Sequence, residues 1–340
     1  MLNRGASMFR TPMVSVVVIT RWGGNRLEKC LKSLRDQRYP SDRYAVIVVS
    51  DVVSSGQVDA LCRKYNAKLI QLNGMPGAKR NLGVRESKGE IVSFCDDDVT
   101  VDRDWLKALV NGFIDQSVAV VGGPNFTPPD AGLRERSSGY VFTSFVGTAT
   151  MAARYMSDGL SVRSADETDL ISCNMAARKS IVDEVGGFPE DIWPNEENIF
   201  LHLVKKAGYK LLYVPNAVVW HERRPVFARH LTQNFNYGRG RGEMTKRHPD
   251  SVKLVHFMPS LFVIFLILGL AASLLMDFPV KPLYTLILLT YFFVIVEESI
   301  RIVIKTHDYK AFPLLLVTFF LHHCSYGLGF MVGLIKGSSI

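Results

Sequence analysis

The chain has 340 residues, 48% of them apolar, with a formal net charge of +8. That length holds one large domain plus something smaller. The basic balance suits an anionic membrane leaflet; nucleic acid competes as a partner, but no RNP-type, helix-turn-helix or zinc-finger pattern supports it. Five cysteines (Cys30, Cys62, Cys95, Cys173, Cys324) show no paired spacing. This argues against a disulfide framework or a zinc site and fits a reducing compartment.

The opening "MLNRGASMFRTPM" has basic residues but no apolar signal-peptide core, so the large domain is expected not to be exported. "VSVVVIT" (Val14–Thr20) is a β-branched run and predicts a buried strand. In residues 25–37, Leu27, Cys30, Leu31 and Leu34 recur at helical spacing, with Asn25 as the expected N-cap. A strand is predicted over 44–51, ending on Asp51, then a helix over 58–65 and a strand over 68–72. Residues 77–89 predict a helix closed by Gly89, and 90–98 a strand that runs into Asp96, Asp97 and Asp98. Strands alternating with helices mean an α/β domain with a mostly parallel sheet. Ligands of such sheets bind beyond the carboxyl ends of the strands, so Asp51 and the Asp96–Asp98 cluster should face one crevice.

There is no GxxxxGK[ST] and no GxGxxG in the chain, so neither a P-loop nor a dinucleotide fingerprint explains the sheet. Strand-end carboxylates then suit a divalent cation, which takes oxygen ligands and bridges them to phosphate. Two residues apart on a strand, Asp96 and Asp98 would point to one side and Asp97 to the other.

After Asp250 the composition changes. Residues 257–276 carry no charge and reach about bilayer length. Apolar runs follow over 282–296 and 312–335. About three transmembrane helices are expected, the second extending through Glu297, Glu298 and Arg301. Lys246, Arg247 and Lys253 precede the first run, and Arg301, Lys305 and Lys310 follow the second. The excess of Lys and Arg places these connections, and the large domain, in the cytoplasm. Residues 225–248 set Phe227, Leu231, Phe235 and Tyr237 among basic residues, as in a helix lying on a bilayer. The expected organisation is a catalytic domain over 1–224, an amphipathic interfacial segment over 225–250 and a transmembrane region over 251–340.

The ordered set "VSVVVIT", "YAVIVVSD", "GAKRNLGVRESKGEIVSFCDDDV", "NEENIFLHLVKKAGYKLLYVPNAVVWH" and "QNFNYGRGRG" resembles the family 2 glycosyltransferases of the GT-A fold. The tail "LHHCSYGLGFMVGLIKG" resembles membrane-embedded members of the succinoglycan glucosyltransferase kind, which build cell-surface polysaccharide. The resemblance implies transfer of a sugar, with inversion, from a nucleotide diphosphate donor, UDP by default. It implies a DxD motif in which Asp96 and Asp98 hold Mg²⁺ or Mn²⁺ against the diphosphate, completed by His221. Arg80 and Asn81 match an "RN" pair under the diphosphate, and Asp51 an acidic residue near the nucleobase. Arg239 and Arg241 would add positive charge to the phosphates. Glu196 and Glu197 stand where the family has an acidic pair, usually Glu-Asp, with Glu197 as general base. Only Gln233 matches the QxxRW segment of polymerising relatives, which favours single addition. A membrane-anchored acceptor, such as a polyprenyl-diphosphate-linked saccharide, fits this layout. The alternatives are transfer to a polyprenyl monophosphate, which needs no base, and an inactive membrane scaffold.

Overall fold

The computed structural model describes residues 11–51, 55–156 and 161–335. Residues 1–10, on which the signal-peptide expectation partly rests, lie outside the described residues. Strand β1 (Val14–Thr20) is buried along its whole length, as a β-branched run covered on both faces should be. Its side chains alternate between two cores. Val14, Val16 and Val18 meet Leu27, Leu31 and Leu34 of helix α1 (Gly24–Arg35). Val17 and Ile19 join the opposite core. Gly23, at φ 67°, turns the chain into α1 and takes the capping place expected of Asn25; glycine adopts this left-handed backbone without penalty.

The chain continues through β2 (Tyr44–Ser50), α2 (Ser55–Lys64), β3 (Lys68–Gln71), α3 (Pro76–Arg85) and β4 (Ile91–Asp96). Helix α3 stops at Arg85, short of Gly89. A Cβ on Gly89 would come within 2.5 Å of the Ser15 nitrogen, so that glycine serves a close approach to β1. Then come β5 (Val99–Val101), α4 (Trp105–Asn111), β6 (Val118–Gly122), β7 (Asn125–Phe126), α5 (Leu133–Thr143), α6 (Phe145–Thr148) and β8 (Arg163–Ser164). Strand β9 (Met175–Arg178), α7 (Lys179–Glu184), α8 (Glu196–Lys206), β10 (Lys210–Tyr213) and β11 (Val219–His221) complete the α/β part.

The main sheet has the order β3-β2-β1-β4-β9-β6-β10-β8, and a small sheet the order β5-β11-β7. The first four strands are parallel, and β9 enters antiparallel between β4 and β6. The α/β class and mostly parallel sheet are as expected. Register sets Thr20 beside Ser50 and Ile19 beside Asp96. The ends of β1, β2 and β4 therefore form one rim, with Asp51 and Asp96 on it.

Four long helices follow: α9 (Ala228–Arg247), α10 (Met258–Leu275), α11 (Val280–Thr306) and α12 (Phe312–Ile335). One face of the segment expected to lie on a bilayer surface packs against protein. His230, Asn234, Gly238, Gly240, Arg241 and Gly242 of α9 are buried. A Cβ on Gly238 would meet the Tyr326 carbonyl at 2.2 Å, and one on Gly333 the Arg239 carbonyl at 2.0 Å. The backbones of α9 and α12 thus touch through facing small-x-x-x-small pairs, Gly238/Gly242 and Gly329/Gly333.

Two described helical stretches, not the expected three, are long and apolar enough to cross a membrane: Met258–Leu275 and Tyr309–Ile335. They differ in burial. Only 11% of the first is covered by protein, against 44% of the second. Ile267, Leu268, Leu274 and Leu275 of α10 are exposed, which the core helix of a water-soluble domain would not be.

Candidate active site

Strand β4 ends at Asp96, so Asp97 and Asp98 sit in the following turn. This corrects the expectation that Asp96 and Asp98 share a strand face. The three carboxylates point to three partners. Asp96 takes Arg80 (2.8 Å), and Asp97 accepts a hydrogen bond from the Thr20 hydroxyl. Asp98 faces His221 (3.1 Å) and Arg224 (3.1 Å). Separate partners relieve the crowding that three adjacent carboxylates create. Burial, with the charges of Asp98 and Asp96, still raises Asp97 to about 6, against the Thr20 bond that lowers it. Burial works to raise Asp98 too, but His221 and Arg224 outweigh it and hold that carboxyl well below the usual range. His221 is the mirror image: burial lowers it, and the Asp98 carboxylate prevails, lifting it to about 10.

His221 ends β11, and that strand pairs with β5 directly after the turn. The small sheet therefore carries the imidazole to Asp98 across a long stretch of sequence. Asn125 of β7 faces the other ring nitrogen, Nδ1, at 3.2 Å. Asn125 is fully buried, yet its Oδ1 has no hydrogen-bond partner among the described residues. With the amide rotated by half a turn, that oxygen accepts from Nδ1–H and frees Nε2 as a ligand. Asp98 and His221 thus offer a carboxylate oxygen and an imidazole nitrogen to one divalent cation, with Asp96 on the adjoining strand end. The donor set fits Mg²⁺ or Mn²⁺.

Arg80 is 2% exposed and joins two parts of the site. It donates to Asp96 and, at 2.6 Å, to Glu196. Glu196 and Glu197 form the first turn of α8, entered through Asn195 at φ 88°. Carboxylates are stabilised at a helix N-terminus. Burial and the Glu197 charge nevertheless raise Glu196 to about 7, with Arg80 opposing them. Glu197 lies 3.6 Å from Arg154 and lines a cavity of about 300 Å³.

The other expected residues are placed differently. Asp51 is gripped by Lys79 (2.7 Å), whose ammonium also donates to the Thr20 carbonyl (2.9 Å). Asn81 spends its amide on the backbone of Phe188 and on Glu190, so it braces a loop rather than facing the crevice. Arg239 donates to the Trp193 carbonyl. Arg241 lies buried beside the same cavity as Glu197. The sequence reading missed Lys79, Arg154 and Arg224. The basic pair one residue after "WH" (Arg223 and Arg224, beyond Glu222) was a signal for Arg224, whereas nothing local marks Arg154. A second, polar cavity of about 410 Å³ adjoins Asp98 and is lined by Arg26, Lys29, Arg224 and Arg229 among others.

Residues 15–186 match the model of the family described as "Glycosyl transferase family 2". The chain is 27% identical over 237 residues to glycosyltransferase AglE of Haloferax volcanii, covering 67% of this chain and 73% of that protein. It is 24% identical over 344 residues to a Methanococcus voltae protein, covering 96% of this chain and 98% of the relative. That relative is named dolichyl N-acetyl-alpha-D-glucosaminyl phosphate 3-beta-D-2,3-diacetamido-2,3-dideoxy-beta-D-glucuronosyltransferase. The chain spans 48% of the pre-mycofactocin glycosyltransferase of Mycobacterium tuberculosis, to which it is 29% identical. Among solved structures it resembles the mannosyltransferase PcManGT of Pyrobaculum calidifontis in complex with GDP-Man and Mn²⁺ (TM-score 0.62, 17% identity, 95% of this chain and 88% of that one). It also resembles TarS 1–349 of S. aureus (TM-score 0.51, 16% identity, 93% and 90%). These likenesses show the GT-A type of fold.

Proposed function

Since this chain belongs to glycosyl transferase family 2, we propose that it moves a sugar from a nucleoside diphosphate donor, UDP-linked by default, to a lipid-borne acceptor at a membrane. The observation that carries this reading is a continuous line of side chains. It runs from Asp96 through Arg80 to Glu196, and Glu197, next in the chain, opens on a cavity walled by the C-terminal helices. Full-length similarity to an enzyme whose printed name specifies a dolichyl-linked sugar phosphate supports the lipid acceptor. Helix α10, apolar and largely uncovered, supports a membrane anchor, with the catalytic domain on the cytoplasmic side.

In this reading Asp51 and Lys79 border the nucleoside end of the crevice, and Asp98 and His221, with Asp96, hold Mg²⁺ or Mn²⁺. The bound cation supplies Lewis-acid neutralisation of the leaving diphosphate. Glu197 takes the proton of the acceptor hydroxyl as its oxygen bonds to the anomeric carbon. The bond from that carbon to the diphosphate breaks, and the electron pair leaves with the nucleoside diphosphate. Glu197 is a methylene longer than the family's usual Asp, so the acceptor sits slightly farther back. Arg154 faces Glu197 and keeps its charge tolerable in a buried setting.

A thermal-shift screen of nucleotide sugars, with and without Mn²⁺, names the donor, because a ligand of the folded state raises its stability. Transfer of labelled sugar to lipid extract then tests the chemistry. Glu197→Gln should bind donor normally and turn over at least a hundredfold more slowly, in line with the usual loss of a general base (about 10²–10⁴). Wild-type turnover removes Glu197 as base and reassigns the acceptor to an already ionised lipid monophosphate. No donor shift with any nucleotide sugar refutes the transferase reading of this site.

A further inference from the structure

The cavity at Glu197 has a wall that glycosyl transfer to a soluble sugar does not call for. Phe142 of α5, Phe262 of α10 and Tyr326 of α12 make much of its lining. Helices α9, α10, α11 and α12 all contribute to it. Its rim includes Val255 and Met258, which are exposed where α10 begins. The mouth therefore lies at the start of the helix that is most exposed and most apolar, the level of a membrane surface if α10 is inserted.

The polar groups in this wall are paired with one another. Tyr291 meets His323 (2.8 Å), and the far nitrogen of His323 faces the Val146 carbonyl (2.8 Å). His322 meets His230 (3.0 Å), which in turn meets Ser138 (2.7 Å). Asn234 donates to the His322 carbonyl (2.6 Å). Arg154 donates to the carbonyls of Thr168 and Glu167 and to Asn198. Arg241 breaks the pattern. It is 2% exposed, its Nη1 reaches the Met244 sulfur (3.1 Å), the Tyr326 hydroxyl lies beside it, and its Nη2 has no hydrogen-bond partner among the described residues. Among the described residues no carboxylate lies within ion-pair distance of it. A buried, unpaired guanidinium is costly, and its geometry suits a phosphate held by two parallel hydrogen bonds.

We propose that this cavity is the acceptor-lipid site, with Arg241 holding the lipid's phosphate and the aromatic wall holding its first isoprene units. The inference rests on the transferase reading for its place in the reaction, but not for the binding itself. A phosphate on Arg241 sets the rest of the head group beside Glu197, which lines the same cavity. The chain of the lipid leaves past Met258 along α10. The ligand class is a phosphorylated polyisoprenoid; a free anion would fill only the Arg241 end, and a plain alcohol only the aromatic end.

The test uses the full chain in mild detergent and measures retention of radiolabelled farnesyl phosphate. Unlabelled farnesyl phosphate should displace the label, with farnesol and inorganic phosphate each at least tenfold weaker. Arg241→Met should weaken retention at least tenfold, and Arg241→Lys should restore part of it. The melting temperature of Arg241→Met should not fall, since the variant removes an unpaired buried charge. Nucleotide-sugar binding in Mn²⁺ is measured on the same samples and should stay unchanged in Arg241→Met. Equal retention by Arg241→Met overturns the proposal, as does farnesol or phosphate competing as well as farnesyl phosphate. If donor binding falls in Arg241→Met while farnesyl phosphate binding holds, Arg241 serves the donor and the proposal fails. Lipid retention without any donor binding keeps the cavity assignment and removes the transferase reading. Should Arg241→Met not fold, the wild-type competition series decides alone.

Discussion

Glu196→Gln should stabilise the folded chain at pH 8 and leave it unchanged near pH 4.5. Arg80 is one cation among three carboxylates: it contacts Asp96 and Glu196 and feels Glu197. It cannot keep all of them ionised at no cost. Glu196, with a side chain 4% exposed and Oε2 unpartnered among the described residues, bears that cost, and its pKa rises from 4.5 to about 7. Between those two values the folded chain keeps a proton that the unfolded chain has released. Unfolding then sheds a proton, so stability falls as pH rises through this window. At about 1.4 kcal/mol per pH unit, the loss is about 3 kcal/mol above pH 7, as an order of magnitude. Glutamine keeps an oxygen for Arg80 and has no proton to lose, so the variant should gain most of that amount at pH 8. Urea unfolding in mild detergent with EDTA, followed by tryptophan fluorescence at pH 5, 6, 7 and 8, measures the difference. A pH-independent difference refutes the linkage. A variant weaker at pH 8 than at pH 5 shows that the ion pair with Arg80 outweighs burial and the repulsion from Glu197.

Asp98→Ala should abolish Mn²⁺-dependent donor binding and sugar transfer, whereas Asp97→Ala, which removes a carboxylate held, among the described residues, by the Thr20 hydroxyl alone, should keep transfer; equal activity losses in the two variants would undo the separate roles given to these carboxylates. Gly238→Leu, whose Cβ would meet the Tyr326 carbonyl at 2.2 Å, should separate α9 from α12 and lower the melting temperature by the equivalent of about 1–3 kcal/mol or more. An unchanged melting temperature would show that the two backbones do not touch.

The fold's first half was legible because its signals are local. Leu27, Cys30, Leu31 and Leu34 recur at helical spacing, and all four are buried. The β-branched run over Val14–Thr20 is a buried central strand. What was illegible depends on where an element stops or on residues far apart in the chain. A strand carried two residues past Asp96 would set Asp96 and Asp98 on one face; the real turn sends them to Arg80 and to His221. The Arg80–Glu196 contact spans 116 positions and has no periodic trace in either segment. The packing of helix α9 was illegible for a different reason. Its basic and aromatic residues suggest a membrane surface, and the spacing that seats its other face on α12 is Gly238 to Gly242, matched by Gly329 to Gly333. Two such signals become interpretable only once the helices are known to face each other.

A proposed general base at this position must satisfy two opposed demands. It has to stay ionised in a buried setting, and it has to keep lone pairs free for the acceptor's proton. A close, hydrogen-bonded arginine would meet the first demand and defeat the second. Arg154 is restrained from becoming that partner. Its Nε and Nη2 are committed to the carbonyls of Thr168 and Glu167 and to the Asn198 side chain. Only Nη1 looks toward Glu197, and it stops at 3.6 Å, beyond a good hydrogen bond. The helix N-terminus adds favourable charge without occupying a lone pair from outside. Glu196 takes the direct ion pair with Arg80 in place of its neighbour. Of two adjacent carboxylates, one is thus fastened to Arg80 and the other is left open toward the apolar cavity. That asymmetry, rather than the acidic pair alone, is what favours Glu197 over Glu196 as the proposed general base.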